Sequence, residues 1–459
     1  MTDLKIGKVI KKYIKLIRIT PARIIFFGFV ILILLGTFLL SLPVSTSSGN
    51  STRFTDALFT ATSSVCVIGL VVVDTNVYWS MFGKVVILLL IQIGALGIMS
   101  VVTLLSVITG KNLGLTHRMT LKESISNYSL QNIVAMFKNI VRVTFIIEGI
   151  GAVITSIKLI PVYGIYKGVL KSIFHSVSSF CNAGFDVFGT DTDRFPSLTG
   201  YIGSPIMLLT TSFLIILGGL GFVVWEDVWK NRKFSRFTLH TKIVLLMTVI
   251  LIVAGAVCYQ LFEAEHTMKG LSFPVKLLNS FFQSVSARTA GYYTISSEEM
   301  STVTNVITIL LMFIGAAPGS TAGGIKVTTF FVLIATVVSY LKGRTEVQAF
   351  KMRISTEIIN KTVTIFLLSL TLTMLTTIVL LANEEGGLMQ TLYEAVSAFG
   401  TTGMSTGITP NLGDMSKLML VITMLLGRVG IITAFTAFTS MRGKENITYR
   451  YPEGKITVG

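Results

Sequence analysis

Charge is scarce in this sequence. Asp, Glu, Lys and Arg together supply 13% of its 459 residues, about half the share of an ordinary soluble domain. That shortage excludes a soluble globular protein of this length. Cysteine is limited to three residues and histidine to four, which argues against a disulfide scaffold. No HExxH motif is present. No serine nucleophile shares a region with a histidine and an acid, so the convergent catalytic set of an enzyme is missing. Acidic residues are the rarer charge, 22 against 38 Lys and Arg, which leaves a net charge of +16. No secretory cleavage pattern follows the first apolar run, residues 24–42, which is long enough to stay as a span.

Apolar residues fill the space that charge leaves. They make up 52% of the chain, the composition of a polytopic membrane protein. The basic excess sits in loops: Lys111, Arg118 and Lys122; Lys230, Arg232, Lys233, Arg236 and Lys242; Lys342, Arg344, Lys351 and Arg353; Arg442, Lys444, Arg450 and Lys455. The loops between them are acidic or mixed, with Asp186, Asp191 and Asp193, Glu263 and Glu265, Glu298 and Glu299, and Glu384 and Glu385. This alternation predicts both termini in the cytoplasm. It also accounts for the net charge without any nucleic-acid partner. Residues 5–18 place Ile6, Val9, Ile10, Tyr13, Ile14 and Ile17 on one helical face, with lysines opposite. Such a segment lies on the inner leaflet against anionic lipid.

Four short glycine-bearing stretches recur: SSVCVIGLVVVD, SSFCNAGFDVFG, VSARTAGYYTIS and SAFGTTGMSTGI. Their glycines, Gly69, Gly184, Gly291 and Gly403, lie 115, 107 and 112 residues apart. Ten residues before each stands an aromatic: Phe59, Phe174, Phe281 and Tyr393. Six before stand Ser63, Ser178, Val285 and Ser397, and three before stand Cys66, Cys181, Arg288 and Gly400. The paired cysteines read as small packing residues at the base of a short helix. Each repeat runs from a long apolar segment to a short amphipathic one, then the glycine stretch, then a second long segment. The short segments, 54–65, 169–180, 273–286 and 388–399, rise only about 18 Å as helices, against a bilayer core of about 30 Å. Both ends of each must face the same side. Each is predicted to dip in from outside and return through its glycine stretch.

Non-helical backbone survives at membrane depth only when protein buries it or it lines a watery cavity. Four such stretches at equivalent positions predict a central pore. Glycine admits the left-handed dihedrals that aim successive carbonyls at one axis, and carbonyl rings replace a cation's hydration shell. The expected fold is an all-α polytopic membrane protein of four tandem helix–pore loop–helix repeats around a pseudo-fourfold pore. The expected division is 1–23 cytoplasmic, repeats at 24–120, 121–236, 237–353 and 354–440, and a cytoplasmic tail at 441–459.

The pattern resembles the Trk/Ktr/HKT superfamily of potassium transporters over almost the whole chain. VCVIGLVVVDT and GAAPGSTAGGIK make it most like the bacterial KtrB-type membrane subunits. The resemblance implies four selectivity-filter segments: Val67, Ile68, Gly69 and Leu70; Asn182, Ala183, Gly184 and Phe185; Thr289, Ala290, Gly291 and Tyr292; and Thr401, Thr402, Gly403 and Met404. Glycine in all four goes with K⁺ preference, and serine in the first with Na⁺. Ile68 departs from an expected threonine, and its side chain is expected to face away from the pore. The resemblance also implies a homodimer and a cytosolic ring of nucleotide-binding RCK subunits of KtrA type. No organic cofactor is expected in this chain.

The stretch GAAPGSTAGGIK, residues 315–326, divides an apolar run into halves of about 12 and 15 residues. Neither half spans alone. Gly315 and Gly319 lie 24 and 28 residues after Gly291; Gly94 and Gly97 follow Gly69 by 25 and 28, and Gly427 and Gly430 follow Gly403 by 24 and 27. Only the third repeat is expected to replace helix at this depth with a polar loop. Gly315, Pro318, Gly319, Ser320, Thr321, Gly323 and Gly324 form a plug beneath the filter, closed by Lys326, which either anchors the loop or adds to a barrier. Arg428 lies at matching depth. A buried arginine there is a functional hypothesis by default, and the resemblance implies a gating loop with a nearby arginine. Its bland alternative is a structural pairing with Glu148 or with backbone carbonyls. LGGLG at 217–221 reads as a packing face, His175 as a packed or hydrogen-bonded group, and Arg288 as a helix C-terminal cap. The leading expectation is regulated K⁺ uptake, with K⁺ symport coupled to Na⁺ or H⁺ as the alternative and Glu148 as its one candidate coupling acid. The basic inner loops suit a regulatory ring and anionic lipid equally.

Overall fold

The computed structural model describes residues 20–97 and 133–438. The amphipathic segment 5–18, the basic cluster at 111–122 and the tail at 441–459 lie outside the described residues. The first long helix, α1 (Pro21–Ser41), begins with Thr20, whose side chain accepts from the Arg23 N–H, and with proline in the first turn, where its missing N–H costs nothing. It buries Phe26, Phe29, Ile33, Gly36 and Leu40 and exposes Ile31, Leu34, Leu35 and Phe38. An apolar outward face of that length suits lipid. The short helix α2 (Phe54–Cys66) is more polar. It buries Thr60, Thr62, Ser63 and Ser64 together with Phe59, Ala61 and Val65, so polar residues share the interior with apolar ones.

The same order returns three times among the described residues. After α3 (Met81–Leu96) come α4 (Ile133–Tyr163), the short α5 (Ile165–Phe180) and α6 (Pro205–Leu220), then α7 (Phe222–Asn231). Next are α8 (Leu239–Glu263), the short α9 (Phe273–Ser286), α10 (Thr302–Phe313) and α11 (Val327–Leu341). Last are α12 (Thr356–Asn383), the short α13 (Leu388–Gly400), α14 (Asp414–Val429) and α15 (Ile431–Phe438). Four of these, α1, α8, α12 and residues 138–163 of α4, are long and apolar enough to cross a membrane, or up to six if each bent pair is one span. Each short helix packs on the long helix before it and on the helix that follows the previous short one: α5 on α3, α9 on α6, α13 on α10, and α2 on α14. The last pairing closes a circle. A hairpin of two-residue strands, β1 (Gln348–Ala349) and β2 (Met352–Arg353), is the one sheet among the described residues.

Among the described residues only the third repeat replaces helix at this depth with a polar loop, as expected; the second long helices of the other repeats are interrupted without one. The chain bends by 91° between α6 and α7 and by 98° between α14 and α15, and α3 ends at Leu96. Gly97, Gly221 and Gly430 follow these helices with φ of 79°, 89° and 89°, outside the helical range and costly for any side chain. Three residues earlier, a Cβ on Gly94, Gly218 or Gly427 would run into the carbonyl of Val65, Phe180 or Phe399, near the C-terminal end of the short helix it packs against. Gly-x-x-Gly thus packs with its first glycine and bends with its second. GGLG serves as a packing face, as its sequence suggested, and as a corner. The third case reads Gly315-Ala-Ala-Pro318, and there a whole loop separates α10 from α11.

Candidate ion pathway and gate

The four glycine stretches meet at one axis. Their first residues, Val67, Asn182, Thr289 and Thr401, have φ of 57°, 59°, 74° and 53°. Two residues on, Gly69, Gly184, Gly291 and Gly403 have φ of 94°, 68°, 79° and 89°. Ile68, Ala183, Ala290 and Thr402 between them stay at negative φ. This alternation turns consecutive carbonyls to one side, the arrangement a bare cation requires. A left-handed residue other than glycine costs roughly 1–2 kcal/mol, so four of them at one level mark a backbone that its surroundings enforce.

The ring closes on itself. A Cβ on Gly69 would collide with the Ala183 carbonyl, and one on Gly184 with the Ala290 carbonyl. One on Gly291 would meet Thr402, and one on Gly403 would meet Ile68. Each glycine faces the carbonyl of the next stretch, in chain order, with no room for a side chain. The residues after the glycines, Leu70, Phe185, Tyr292 and Met404, are buried behind the ring, as is Ile68. The Tyr292 hydroxyl donates to the Phe185 carbonyl (3.1 Å), bracing one stretch with its neighbour.

Serines hold the stretches from behind. Ser63 Oγ accepts from the Gly69 N–H and Ser397 Oγ from the Gly403 N–H, both at 3.1 Å. Ser178 Oγ donates to the Phe185 carbonyl (2.8 Å). In the third stretch Ser286 does this for Tyr292, so counting back to Val285 is off by one. The N–H groups of Ala290 and Gly291 both reach the Ser286 carbonyl, and the turn is one residue tighter than its counterparts. Arg288 does not cap its own helix, because its Nη1 donates to the Thr248 carbonyl of α8 (3.4 Å). His175 is packed and hydrogen-bonded, with Nε2 2.9 Å from Thr211 Oγ1 and its ring against Phe188 and Tyr292.

Loop 315–325 lies directly under this ring, at the end where the chain enters it. Its backbone is tied to the corners of neighbouring helices. Ala317 N donates to Gly219 (3.0 Å), Thr321 N to Gly218 (3.3 Å) and Gly324 N to Gly427 (3.4 Å), and Gly319 accepts from Phe222 N (3.1 Å). Gly315 abuts Gly323, where a Cβ would meet the Gly323 carbonyl, and Ile314 bridges Ile325. Ser320 Oγ donates within the loop to Ala317 (2.7 Å), while Pro318 supplies no N–H at the turn. Lys326 anchors the loop: its Nζ donates to the carbonyls of Ala322 (2.7 Å) and Gly323 (3.2 Å).

Arg428 bridges the loop to the opposite side. Its Nη1 donates to the Thr321 carbonyl, and its Nη2 to the carbonyls of Gly94 (2.7 Å) and Ala95 (3.3 Å). Backbone carbonyls, not Glu148, are its partners. Glu148, 4% exposed, accepts from Gln92 Nε2 at 3.1 and 3.2 Å and lies 3.7 Å from the Cys181 thiol.

The family model of TrkH, cation transport protein, matches residues 23–449. The chain belongs to the TrkH family of cation transport proteins. It is 39% identical to the Ktr system potassium uptake protein B of Bacillus subtilis, over 98% of this chain and 99% of that one. It is 38% identical to the potassium/sodium uptake protein NtpJ of Enterococcus hirae, over 96% and 98%. Among solved structures, the potassium transporter TrkH of Vibrio parahaemolyticus has the same fold, with a TM-score of 0.70 at 18% identity over 90% of this chain and 85% of that one. Membership of a transport family sets the enzyme reading aside.

Two groups of this TrkH-family chain escaped the sequence reading. Glu394, buried in α13, accepts from Ser405 Oγ (2.6 Å), Thr406 N (2.9 Å) and Thr409 Oγ1 (2.8 Å), and so holds the chain leaving the fourth stretch. Asp74 accepts from Asn76 N (2.8 Å) and Phe195 N (2.9 Å), tying the loops after the first and second stretches together. An acid inside an otherwise uncharged short helix was the available signal for Glu394. Asp74 carries no such signal, since its partner lies 121 residues away.

Proposed function

We propose that the chain takes up K⁺ across the bacterial cell membrane through the glycine ring, with loop 315–325 as the gate and Arg428 as a positive barrier beneath it. The observation that carries this is the closed ring of Gly69, Gly184, Gly291 and Gly403, each against a carbonyl of the next stretch. The short helices end at that ring and direct their negative dipole ends toward its centre. The loop occupies the space a leaving ion would need. The name of the Bacillus subtilis relative supports potassium as the cargo.

Both termini would be cytoplasmic, and two copies would assemble on a cytosolic RCK-type ring that carries the nucleotide. A name that refers to a Ktr system supports a partner subunit. Reconstituting the purified chain in liposomes and imposing K⁺ or Na⁺ gradients tests the reading. K⁺-selective flux is the expected result, alone or after the cytosolic partner is added. Equal K⁺ and Na⁺ flux in both conditions would overturn the filter assignment.

A coupled mechanism is favoured by one observation. Glu148 is a buried carboxylate held by an amide and a thiol, the kind of intramembrane acid that marks an ion or proton route. Under that reading Glu148→Gln abolishes the dependence of K⁺ uptake on Na⁺ or pH. Unchanged dependence removes it.

A further inference from the structure

The loop touches the ring itself, through side chains that belong to it. Gly323 N donates to Thr401 Oγ1 at 2.8 Å, and Thr401 is the first residue of the fourth stretch, wholly buried and in the left-handed conformation. A Cβ on Gly323 would strike the Thr401 side chain, and one on Gly324 would crowd the Gly400 backbone. On the other side, Thr321 Oγ1 lies 3.4 Å from the Asn182 amide and from the Phe180 carbonyl. The Asn182 amide in turn meets Thr289 Oγ1 at 3.2 Å. The loop is therefore joined to the first residues of the second and fourth stretches and, through Asn182, to that of the third.

We propose that Thr401 couples the loop to the filter, so that the ion preference of the pore depends on whether the loop is docked. This rests on the filter and gate reading given above. Undocking strips the Thr401 hydroxyl of its donor and leaves a buried polar group to find another partner. The residue concerned sits in a conformation that its surroundings enforce. Its carbonyl is part of the ring, so a change of rotamer or backbone there reaches the ion directly. By linkage, an ion that favours the docked geometry also favours the closed loop.

The test compares K⁺ and Na⁺ uptake by the full chain in liposomes for wild type, Thr401→Val, Thr401→Ser, deletion of residues 315–324, and the deletion combined with Thr401→Val. Thr401→Val is expected to raise flux without a regulator and to shift the K⁺:Na⁺ ratio by about fivefold, the weight of one hydrogen bond. Thr401→Ser, which keeps a hydroxyl for the Gly323 N–H, shifts both less than Thr401→Val does. The deletion shifts the ratio in the same direction, and Thr401→Val adds nothing to it. An equal shift with and without the loop overturns the coupling, since Thr401 would then act within the filter alone. No effect of Thr401→Val on flux or ratio overturns it as well. Should the valine variant fail to fold, the deletion decides: raised flux at an unchanged ratio sinks the coupling and leaves the gate standing. Unchanged flux on deletion removes the gate reading and this inference together.

Discussion

Gly69 is constrained twice, by a φ of 94° and by the Ala183 carbonyl where a Cβ would go. Gly69→Ser adds backbone strain of about 1–3 kcal/mol at the ring and pushes one carbonyl out of line. The K⁺ preference over Na⁺ is expected to fall by about tenfold, read as the ratio of the two uptake rates in liposomes. Asp186, just beyond the second stretch, gives a second expectation. Burial, and to a lesser degree the charge of Asp74, push its carboxyl up to about 6, against the Phe188 N–H and Lys171, which favour its ionised form. Tyr293 also lies within its field. Above pH 6 the carboxylate puts negative charge two residues beyond Gly184, which attracts cations if the proposed pore opens there; acidifying through pH 6 removes it. Uptake is expected to fall as external pH drops from 7 to 5, and Asp186→Asn is expected to flatten that profile at the lower level. At this scale the sequence was legible wherever chemistry forces a residue type. The four glycines are such a case. Thr401 was legible as the first residue of a glycine stretch, but its hydrogen bond to Gly323 spans 78 residues and leaves no local mark.

The short helices were legible as elements because a dozen amphipathic residues cannot cross a bilayer. The segments read at 54–65, 169–180, 273–286 and 388–399 appear as Phe54–Cys66, Ile165–Phe180, Phe273–Ser286 and Leu388–Gly400. The bends after α6 and α14 were not legible, because hydropathy runs through Gly221 and Gly430 without a change. Only the φ of those glycines and the collisions at Gly218 and Gly427 turn a spacing into a corner. Two expectations belong to this scale. Deleting residues 315–324 is expected to raise flux in the absence of any regulator, by an order of magnitude or more if the loop is the main obstruction; low flux in well-folded protein would count against a gate. Arg428→Ala removes a cation and the bridge from Thr321 to Gly94 and Ala95. Basal conduction is expected to rise while the melting temperature in detergent shifts little, and a loss of folding instead would assign Arg428 a structural part alone.

At the scale of the whole molecule, the ring exists because α14 returns to α2. Lys417 of α14 and Asp56 of α2 meet at 2.8 Å with both side chains largely buried, and they tie the last quarter of the chain to the first. Breaking a buried pair on one side costs about 3–5 kcal/mol, so Lys417→Ala is expected to lower the thermal midpoint clearly and Lys417→Ala with Asp56→Ala to lower it less. A drop that is equal for the single and double variants would show that the pair does not close the ring. The sequence by itself determined that this is a membrane protein, that its short glycine-bearing segments recur about every 110 residues, and that a polar loop interrupts one long helix. Composition, length against bilayer thickness and residue spacing are local properties, so one strand of text carries them. The tertiary structure alone decided that each glycine faces the carbonyl of the next stretch, that Arg428 takes backbone carbonyls rather than Glu148, and that Glu148 rests on Gln92 and Cys181. Those choices join residues far apart in the chain, and close packing around one axis selects among partners that the sequence leaves equally available.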